Sequence, residues 1–374
     1  MAPSQKLCRA IALTTTLLSV LQLATASFVT VNEEVLIGWR GETHNPELLY
    51  DPLHTRNLTD VPFGVPLPAS PAWVELVSWE PRVFIWHNFL TEQEALHLIH
   101  LAVPSMKRST VVGQGGKSVE DSYRTSYGTF LKRYQDAVVE RVENKVAAWT
   151  QVPVSHQEDI QVLRYGIGQS YKMHADTLKD PVAGVRVATV LIYLNEPDEG
   201  GETAFPYSSW AHPSLADTYG SGFSDCALGH VGMKPKRGDA LLFWSIGPDG
   251  SSEDFHATHT GCPVLKGVKW TATKWIHAKP FRPEDLDNTL QSKGTRPQHE
   301  DPGICEDVMS QCSEYAKGDG CQRAEEYMVG GPSGLGQCRR SCGACAVCSP
   351  GDTACYDGNR RKAGYLVHNP AEIK

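Results

Sequence analysis

Cysteines are distributed very unevenly along the chain, and this distribution strongly constrains how it can fold. Of the 11 cysteines in 374 residues, eight lie between Cys305 and Cys355. Such density predicts a small segment held by disulfides, which persist in oxidising compartments. Zinc is the alternative for clustered cysteines, because Cys342-x-x-Cys345-x-x-Cys348 has a spacing that suits metal binding. The secretory features of the N-terminus favour disulfides.

The N-terminus has the pattern of a signal peptide. Lys6 and Arg9 precede an apolar run, and Ala24-Thr25-Ala26 supplies small residues before an expected cleavage site. The run is short for a bilayer span, and an uncleaved membrane anchor is the alternative. Asn57 begins an N-x-T sequon, so we expect glycosylation there. These features predict a protein of the endoplasmic reticulum, lumenal or membrane-anchored, or of the Golgi.

Composition and pattern divide the chain into six segments. The hydrophobic content of 41% is sufficient for a sizeable core, and the net charge of -8 provides no basic surface for nucleic acid. The predicted segments are a signal peptide or anchor (1–26), an N-terminal extension (27–73), a large folded domain (74–282), a linker (283–304), a disulfide-rich domain (305–345) and a tail (346–374).

The large domain begins with helices and continues as short strands. Thr91 and Glu94 have the spacing of a capping box at the start of a helix that Pro104 ends, and a second helix is predicted from about Lys132 to Thr150. Helices followed by a run of short strands predict a mainly β fold, a double-sheet jelly roll with helical support. The predicted strands are 83–86, 124–131, 160–165, 171–174, 186–194, 203–205, 240–244, 257–259 and 269–278.

Three side chains in these strands form a candidate metal site. His174 and Asp176 are two residues apart, so on a strand they project from the same face. His259 lies 85 residues beyond His174, on a strand that a closed jelly roll can bring back to the first pair. Two histidines and one carboxylate form the facial triad that holds Fe(II) and leaves positions open. Lys269 would need an anionic partner inside the barrel, and a dicarboxylate would supply it.

His256 is the alternative to His259 as the distal ligand. The two histidines are three residues apart, so on one strand they would face opposite ways. Only His259 stands ten residues before Lys269. We therefore expect His259 to be the ligand and His256 to be a polar strand residue. Cys262 is expected to be a buried thiol, and a bond between it and Cys226 stays open.

Four blocks of sequence resemble the catalytic domain of prolyl 4-hydroxylases of the plant and algal type. They are LRYGIGQSYKMHAD, RVATVLIYLNEPDEGGETAFP, KPKRGDALLFW and HTGCPVLKGVKWTATKWIH, in that order. The resemblance covers about residues 74–281. It implies a double-stranded β-helix and an Fe(II)- and 2-oxoglutarate-dependent dioxygenase.

By position, the resemblance assigns a role to each candidate residue. His174, Asp176 and His259 resemble the iron ligands, and Lys269 matches the residue that pairs with the distal carboxylate of 2-oxoglutarate. Thr203 and Tyr165 match positions near this cosubstrate. The positions implied for the peptide groove are Tyr171, Arg186, Trp275, His277, Arg124, Ser126 and Glu158.

The resemblance also implies the reaction and its participants. With 2-oxoglutarate and O2, a peptidyl proline becomes 4-hydroxyproline, and succinate and carbon dioxide are released. L-Ascorbate is expected to keep the iron as Fe(II). The expected partner is a proline-rich polypeptide in the polyproline II conformation, which binds aromatic-lined grooves. The oligomeric state is not predicted.

The cysteine-rich segment resembles a ShK-toxin-like domain. The pairing usual in that family implies the disulfides Cys305–Cys345, Cys312–Cys338 and Cys321–Cys342. Cys348 and Cys355 are additional and could close a small loop. A dioxygenase acting on another substrate, with loops 111–122 and 180–184 as the determinants, is one alternative function. A non-catalytic secreted binding protein is the other.

Overall fold

The structure, a computed structural model, describes residues 72–109, 111–112, 118–119, 125–291, 301–331, 334–367 and 369–373. The predicted signal peptide, nearly all of the N-terminal extension, Asn57 and Arg124 lie outside these residues. In the part of the chain that is described, no helix has both the length and the apolar character needed to cross a membrane.

The described residues form mostly short strands with a few helices. The helices are α1 (Glu92–Ala102), α2 (Ala137–Thr150), α3 (Pro213–Tyr219), α4 (Pro283–Gln291), α5 (Cys312–Tyr315), α6 (Gly320–Arg323), α7 (Glu325–Met328) and α8 (Thr353–Lys362). The strands of the N-terminal half are β1 (Trp73–Ser78), β2 (Val83–His87), β3 (Lys107–Arg108), β4 (Val111–Val112), β5 (Ser118–Val119), β6 (Tyr127–Leu131), β7 (Ile160–Tyr165), β8 (Tyr171–His174), β9 (Lys179–Asp180) and β10 (Gly184–Tyr193). The later strands are β11 (Glu199–Gly200), β12 (Thr203–Phe205), β13 (Val231–Met233), β14 (Ala240–Trp244), β15 (His259–Gly261), β16 (Val264–Lys266), β17 (Lys269–His277), β18 (Gly330–Gly331) and β19 (Gly334–Leu335).

Two antiparallel sheets carry the candidate site. The larger has the order β1-β2-β14-β10-β17-β7-β6-β3, with β9 added to β10, and the smaller has the order β13-β12-β15-β8. The central strand β17 is buried along its whole length, as expected for a strand covered on both faces. This double-sheet arrangement agrees with the predicted jelly roll.

Helices α1 and α2 cover one face of the larger sheet and form the main hydrophobic core with it. Thr91 and Glu94 form the predicted capping box at the start of α1. The second helix begins later than predicted, because Asp136 caps it by accepting hydrogen bonds from the amides of Val138 and Val139.

One predicted strand was wrong, and the first part of the predicted linker is helical. Residues 257–259 were expected to be one strand, but Phe255–Ala257 form a 3₁₀ turn and β15 begins at His259. The expectation that His256 and His259 share a strand is therefore wrong as well. The segment 283–304 was read as a linker, but its first part forms helix α4.

Ten cysteines form five disulfides in the structure. Cys305–Cys345, Cys312–Cys338 and Cys321–Cys342 are the pairs that the resemblance implied. Cys348–Cys355 closes a small loop. Cys262 is bonded to Cys226 and is not the buried thiol that we expected. Together the disulfides indicate a protein of the oxidising secretory pathway.

The segment after the disulfides returns to the large domain. The Arg360 guanidinium donates hydrogen bonds to the carbonyl oxygens of Val103 and Pro104, at 3.1 Å each. Leu366 is buried in the main core. Arg164 on β7 donates hydrogen bonds to both carboxylate oxygens of Glu372, at 2.9 Å. The C-terminal segment is therefore packed against the large domain.

Candidate active site

His174, Asp176 and His259 come together at one end of the smaller sheet. His174 ends β8 and is paired in register with His259, which begins β15, and Asp176 lies two residues beyond β8. Nε2 of His174 is 3.5 Å from Oδ1 of Asp176, and Nε2 of His259 is 3.9 Å from Oδ2. One possible ligand atom from each residue lies within 4.8 Å of the others, so the three can share one metal ion.

Hydrogen bonds around these side chains orient them for metal binding. Nδ1 of His174 is 2.7 Å from the Lys172 carbonyl, and Nδ1 of His259 is 3.0 Å from the Ala257 carbonyl. Since a carbonyl oxygen can only accept, each Nδ1 carries the proton and each Nε2 presents its lone pair. This donor set fits the facial triad of non-haem Fe(II).

The charges in the site also suit a metal. Burial alone would raise the pKa of the Asp176 carboxyl, but the imidazoles of His259 and His174 hold this pKa well below its usual range. Burial lowers the pKa of His259 to about 4, and the neighbouring His174 contributes to the decrease. At neutral pH the site therefore offers a carboxylate and a neutral His259 imidazole, which are the protonation states that bind metals.

A pocket between the two sheets extends from these residues to Lys269. Alternate residues of β17, namely Lys269, Thr271, Thr273 and Trp275, line it, as the period of a strand requires. Lys269 is buried, and burial lowers its pKa to about 8. The charge of the Glu202 carboxylate acts in the opposite direction on this pKa and does not offset burial.

The wall of this pocket contains buried polar atoms without a hydrogen-bond partner among the described residues. Thr271 Oγ1 and Trp275 Nε1 are buried and have no hydrogen-bond partner in the described part of the chain. Buried polar atoms rarely lack a partner, and they favour a polar molecule in the pocket. A buried cation and two orphaned donors fit a dicarboxylate such as 2-oxoglutarate. Thr203 and Tyr165 also line the pocket.

Some of the residues predicted for the peptide groove line the pocket, and others do not. Tyr171 and Trp275 line the pocket, and the Tyr171 ring stacks on His174 at 3.7 Å. The Arg186 guanidinium lies 3.9 Å from the centre of the Trp275 ring. Ser126 is buried and does not line the pocket, and its hydroxyl donates a hydrogen bond to Ser109.

Glu158 holds Arg186 in this position. Its carboxylate accepts hydrogen bonds from Arg186 at 2.6 and 3.1 Å, and it is 2.8 Å from Nε2 of His277. Burial alone would raise the pKa of Glu158, but the bonds to His277 and Arg186 lower it. Glu158 and His277 are both buried, and neither lines the pocket.

Two residues of the site had no predicted role. Thr189 lines the pocket and donates a hydrogen bond to Asp176, and Tyr193 donates one to Thr203 at 3.0 Å. The sequence carried a signal for both, because a threonine and a tyrosine alternate with Val187 and Leu191 along one face of β10.

Known proteins resemble this chain in its catalytic segment and over most of its length. The 2OG-Fe(II) oxygenase superfamily matches residues 160–277, which contain the metal-binding residues and Lys269. "Prolyl 4-hydroxylase 2" of Arabidopsis thaliana is 41% identical over 282 residues, which are 74% of this chain and 89% of the relative. "Probable prolyl 4-hydroxylase 8" of the same plant is 46% identical over 215 residues, 56% of this chain and 73% of the relative.

The site and the superfamily match together define an Fe(II)- and 2-oxoglutarate-dependent dioxygenase. The chain belongs to the prolyl 4-hydroxylase family, since the matching segment is long and covers most of the relative. A viral collagen prolyl hydroxylase from Paramecium bursaria Chlorella virus-1, solved with 2-oxoglutarate, is 26% identical. The match covers 52% of this chain and 95% of the viral chain, with a TM-score of 0.38.

Proposed function

We propose that this protein hydroxylates C4 of proline residues in proline-rich polypeptides of the secretory pathway. Its products are 4-hydroxyproline, succinate and carbon dioxide. The observation that carries this proposal is the pocket in which His174, Asp176, His259 and Lys269 meet, in a chain of the prolyl 4-hydroxylase family.

The metal would be held by His174, Asp176 and His259. Bound Fe(II) would activate O2, and 2-oxoglutarate would provide the electrons for this activation. The chain itself supplies geometry: the Lys172 and Ala257 carbonyls fix the two imidazoles. These contacts fix the orientation of the two imidazoles, so that each Nε2 is available to the metal.

Lys269 would bind the distal carboxylate of 2-oxoglutarate. It lies in the buried pocket with Thr203 and Tyr165. A hydrogen bond between two charged groups contributes roughly 1.5–3 kcal/mol, so its loss would weaken cosubstrate binding about 10- to 100-fold. The orphaned Thr271 hydroxyl would gain a partner in the same complex.

The polypeptide would bind where Tyr171, Trp275 and Arg186 lie. A polyproline II chain is preformed and packs its rings on aromatic side chains, of which the half-buried Tyr171 is the candidate here, and the Arg186 guanidinium lies over the buried Trp275. We propose the endoplasmic reticulum, with the Golgi as the alternative, as the compartment, and L-ascorbate as the reductant that keeps iron as Fe(II).

Mass spectrometry of peptide products tests this function. The protein is incubated with Fe(II), 2-oxoglutarate, ascorbate and either a proline-rich peptide or the same peptide with alanine at each proline. We expect one oxygen atom added on proline in the first peptide, with one succinate formed for each. Succinate formation without oxygen on proline would instead identify a related dioxygenase with another substrate.

A further inference from the structure

Two aromatic side chains lie together on the surface beside the metal-binding residues. The ring centroids of Tyr207 and Phe255 are 4.3 Å apart, and the exposed fractions of the two residues are 43% and 62%. The Ser208 hydroxyl donates a hydrogen bond of 3.2 Å to the carbonyl of His256, so the two segments that carry the rings are fastened together. Contiguous exposed apolar surface is typical of interaction sites.

The strands place this pair at the same end of the smaller sheet as the metal-binding residues. His174 is paired with His259, and the Phe205 ring lies 5.6 Å from the His259 ring. Tyr207 follows two residues after Phe205, and Phe255 precedes His259 by four residues. Four residues span at most about 14 Å, so the main chain at Phe255 lies within that distance of the metal-binding residue His259.

Main-chain hydrogen bonds connect the segment that carries Phe255 to the strand that carries Arg186. The Ser245 amide donates to the carbonyl of Val187, which follows Arg186, and the Asp254 amide donates to the carbonyl of Ser245. Each such step between paired chains is about 5 Å, so the main chain at Val187 and at Asp254, the chain neighbours of Arg186 and Phe255, is roughly 10 Å apart. The Arg186 guanidinium, which covers the buried Trp275, and the exposed pair of Phe255 and Tyr207 are thus two separate surfaces beside the pocket.

A polyproline II helix has the dimensions to contact both surfaces. It has three residues per turn and rises about 3.1 Å per residue, so residues three apart face the same way and lie roughly 9 Å apart. We propose that Tyr207 and Phe255 form a second binding site for the proline-rich polypeptide, which holds prolines about one turn from the residue that reacts. This inference rests on the proposed proline hydroxylation. It predicts that the affinity of the protein for the peptide increases with peptide length.

Steady-state kinetics with two peptide lengths tests the second site. The full-length protein and its Tyr207→Ala/Phe255→Ala variant are compared on capped polyproline peptides of about three and about fifteen residues, the shorter of which has no two residues a full turn apart. We expect the variant to raise KM for the long peptide about tenfold, equivalent to about 1.4 kcal/mol. KM for the short peptide and KM for 2-oxoglutarate should not change.

Two controls separate the second site from damage to the fold. Tyr207→Phe/Phe255→Tyr keeps both rings and should keep the KM of the unmodified protein. Phe130→Ala removes an exposed ring on β6, outside the pocket lining, and should change neither KM.

The outcomes distinguish the two proposals. An alanine variant whose KM for the long peptide equals that of the unmodified protein, or rises equally for both peptides, would overturn the second site alone. If the unmodified protein turns over 2-oxoglutarate but oxidises proline in neither peptide, the proposed function fails, and the second site fails with it.

Discussion

The Thr189 hydroxyl donates a hydrogen bond of 2.7 Å to Oδ2 of Asp176, and both residues are buried. Thr189 lies on β10 of the larger sheet, whereas His174 and His259 lie on the smaller one. This bond therefore fixes the carboxylate of the metal site from the opposite sheet. Such outer contacts orient metal ligands and raise metal affinity.

Replacing Thr189 should weaken metal binding without removing a ligand. Thr189→Val is expected to reduce Fe(II) affinity about 10- to 100-fold, because the carboxylate loses the bond that orients it. Titration with Co(II), followed by its visible absorbance, measures affinity apart from activity. Thr189→Ser retains the hydroxyl and should bind Co(II) normally. Equal affinities of the valine and serine variants would show that the bond has no such role.

Lys269 should make the affinity for 2-oxoglutarate depend on pH. Burial lowers the pKa of Lys269 to about 8, so the free protein carries this cation below about pH 8 and loses it above. KM for 2-oxoglutarate is expected to be constant below that pH and to rise up to about tenfold per pH unit above it, since only the ammonium form pairs with the carboxylate.

The lysine can be tested directly by substitution. Lys269→Ala should raise KM for 2-oxoglutarate by about 10- to 100-fold at neutral pH, which corresponds to the loss of a charge-assisted hydrogen bond. Lys269→Arg keeps a cation that does not titrate, and it should remove the rise of KM at alkaline pH. A rise of KM in the arginine variant with the same midpoint would assign the titration to another group.

The buried pair of Lys274 and Glu143 should control stability. Lys274 Nζ is 2.7 Å from Glu143 Oε1, and neither side chain is exposed to solvent. Lys274→Met is expected to lower the free energy of unfolding by about 3–5 kcal/mol, because it leaves a buried carboxylate without its partner. Denaturant unfolding measures this change. Lys274→Met/Glu143→Leu should recover much of the loss, and a double variant no more stable than Lys274→Met would contradict this explanation.

The C-terminal segment that follows Cys355 should stabilise the large domain. Leu366 lies in the main core, and its amide donates a hydrogen bond of 2.8 Å to the Met106 carbonyl. Leu366→Ala is expected to lower the free energy of unfolding by about 2–5 kcal/mol through the cavity that it leaves. Val347→Ala, at a residue that is 66% exposed, serves as the control. Equal stability of both variants would show that the segment is not part of the core.

The sequence predicted most of what depends on local pattern. Strand alternation placed Lys269 and Trp275 on one face, and Thr91 with Glu94 defined the start of α1. Long-range contacts were harder to predict. Cys226 and Cys262 are 36 residues apart, and no local pattern pairs them. Arg360 contacts Val103 across 257 residues, so the role of the C-terminal segment became visible only in the structure.

The most direct test of the central claim determines which histidine completes the metal site. His259 is buried beside Asp176, whereas Nδ1 of His256 lies 3.0 Å from Asp254 on a 3₁₀ turn. The measurement compares His259→Ala and His256→Ala for succinate formation coupled to oxygen added on a proline-rich peptide. We predict that His259→Ala abolishes both products and that His256→Ala retains them. A His259→Ala protein that stays active while His256→Ala is inactive would contradict the account.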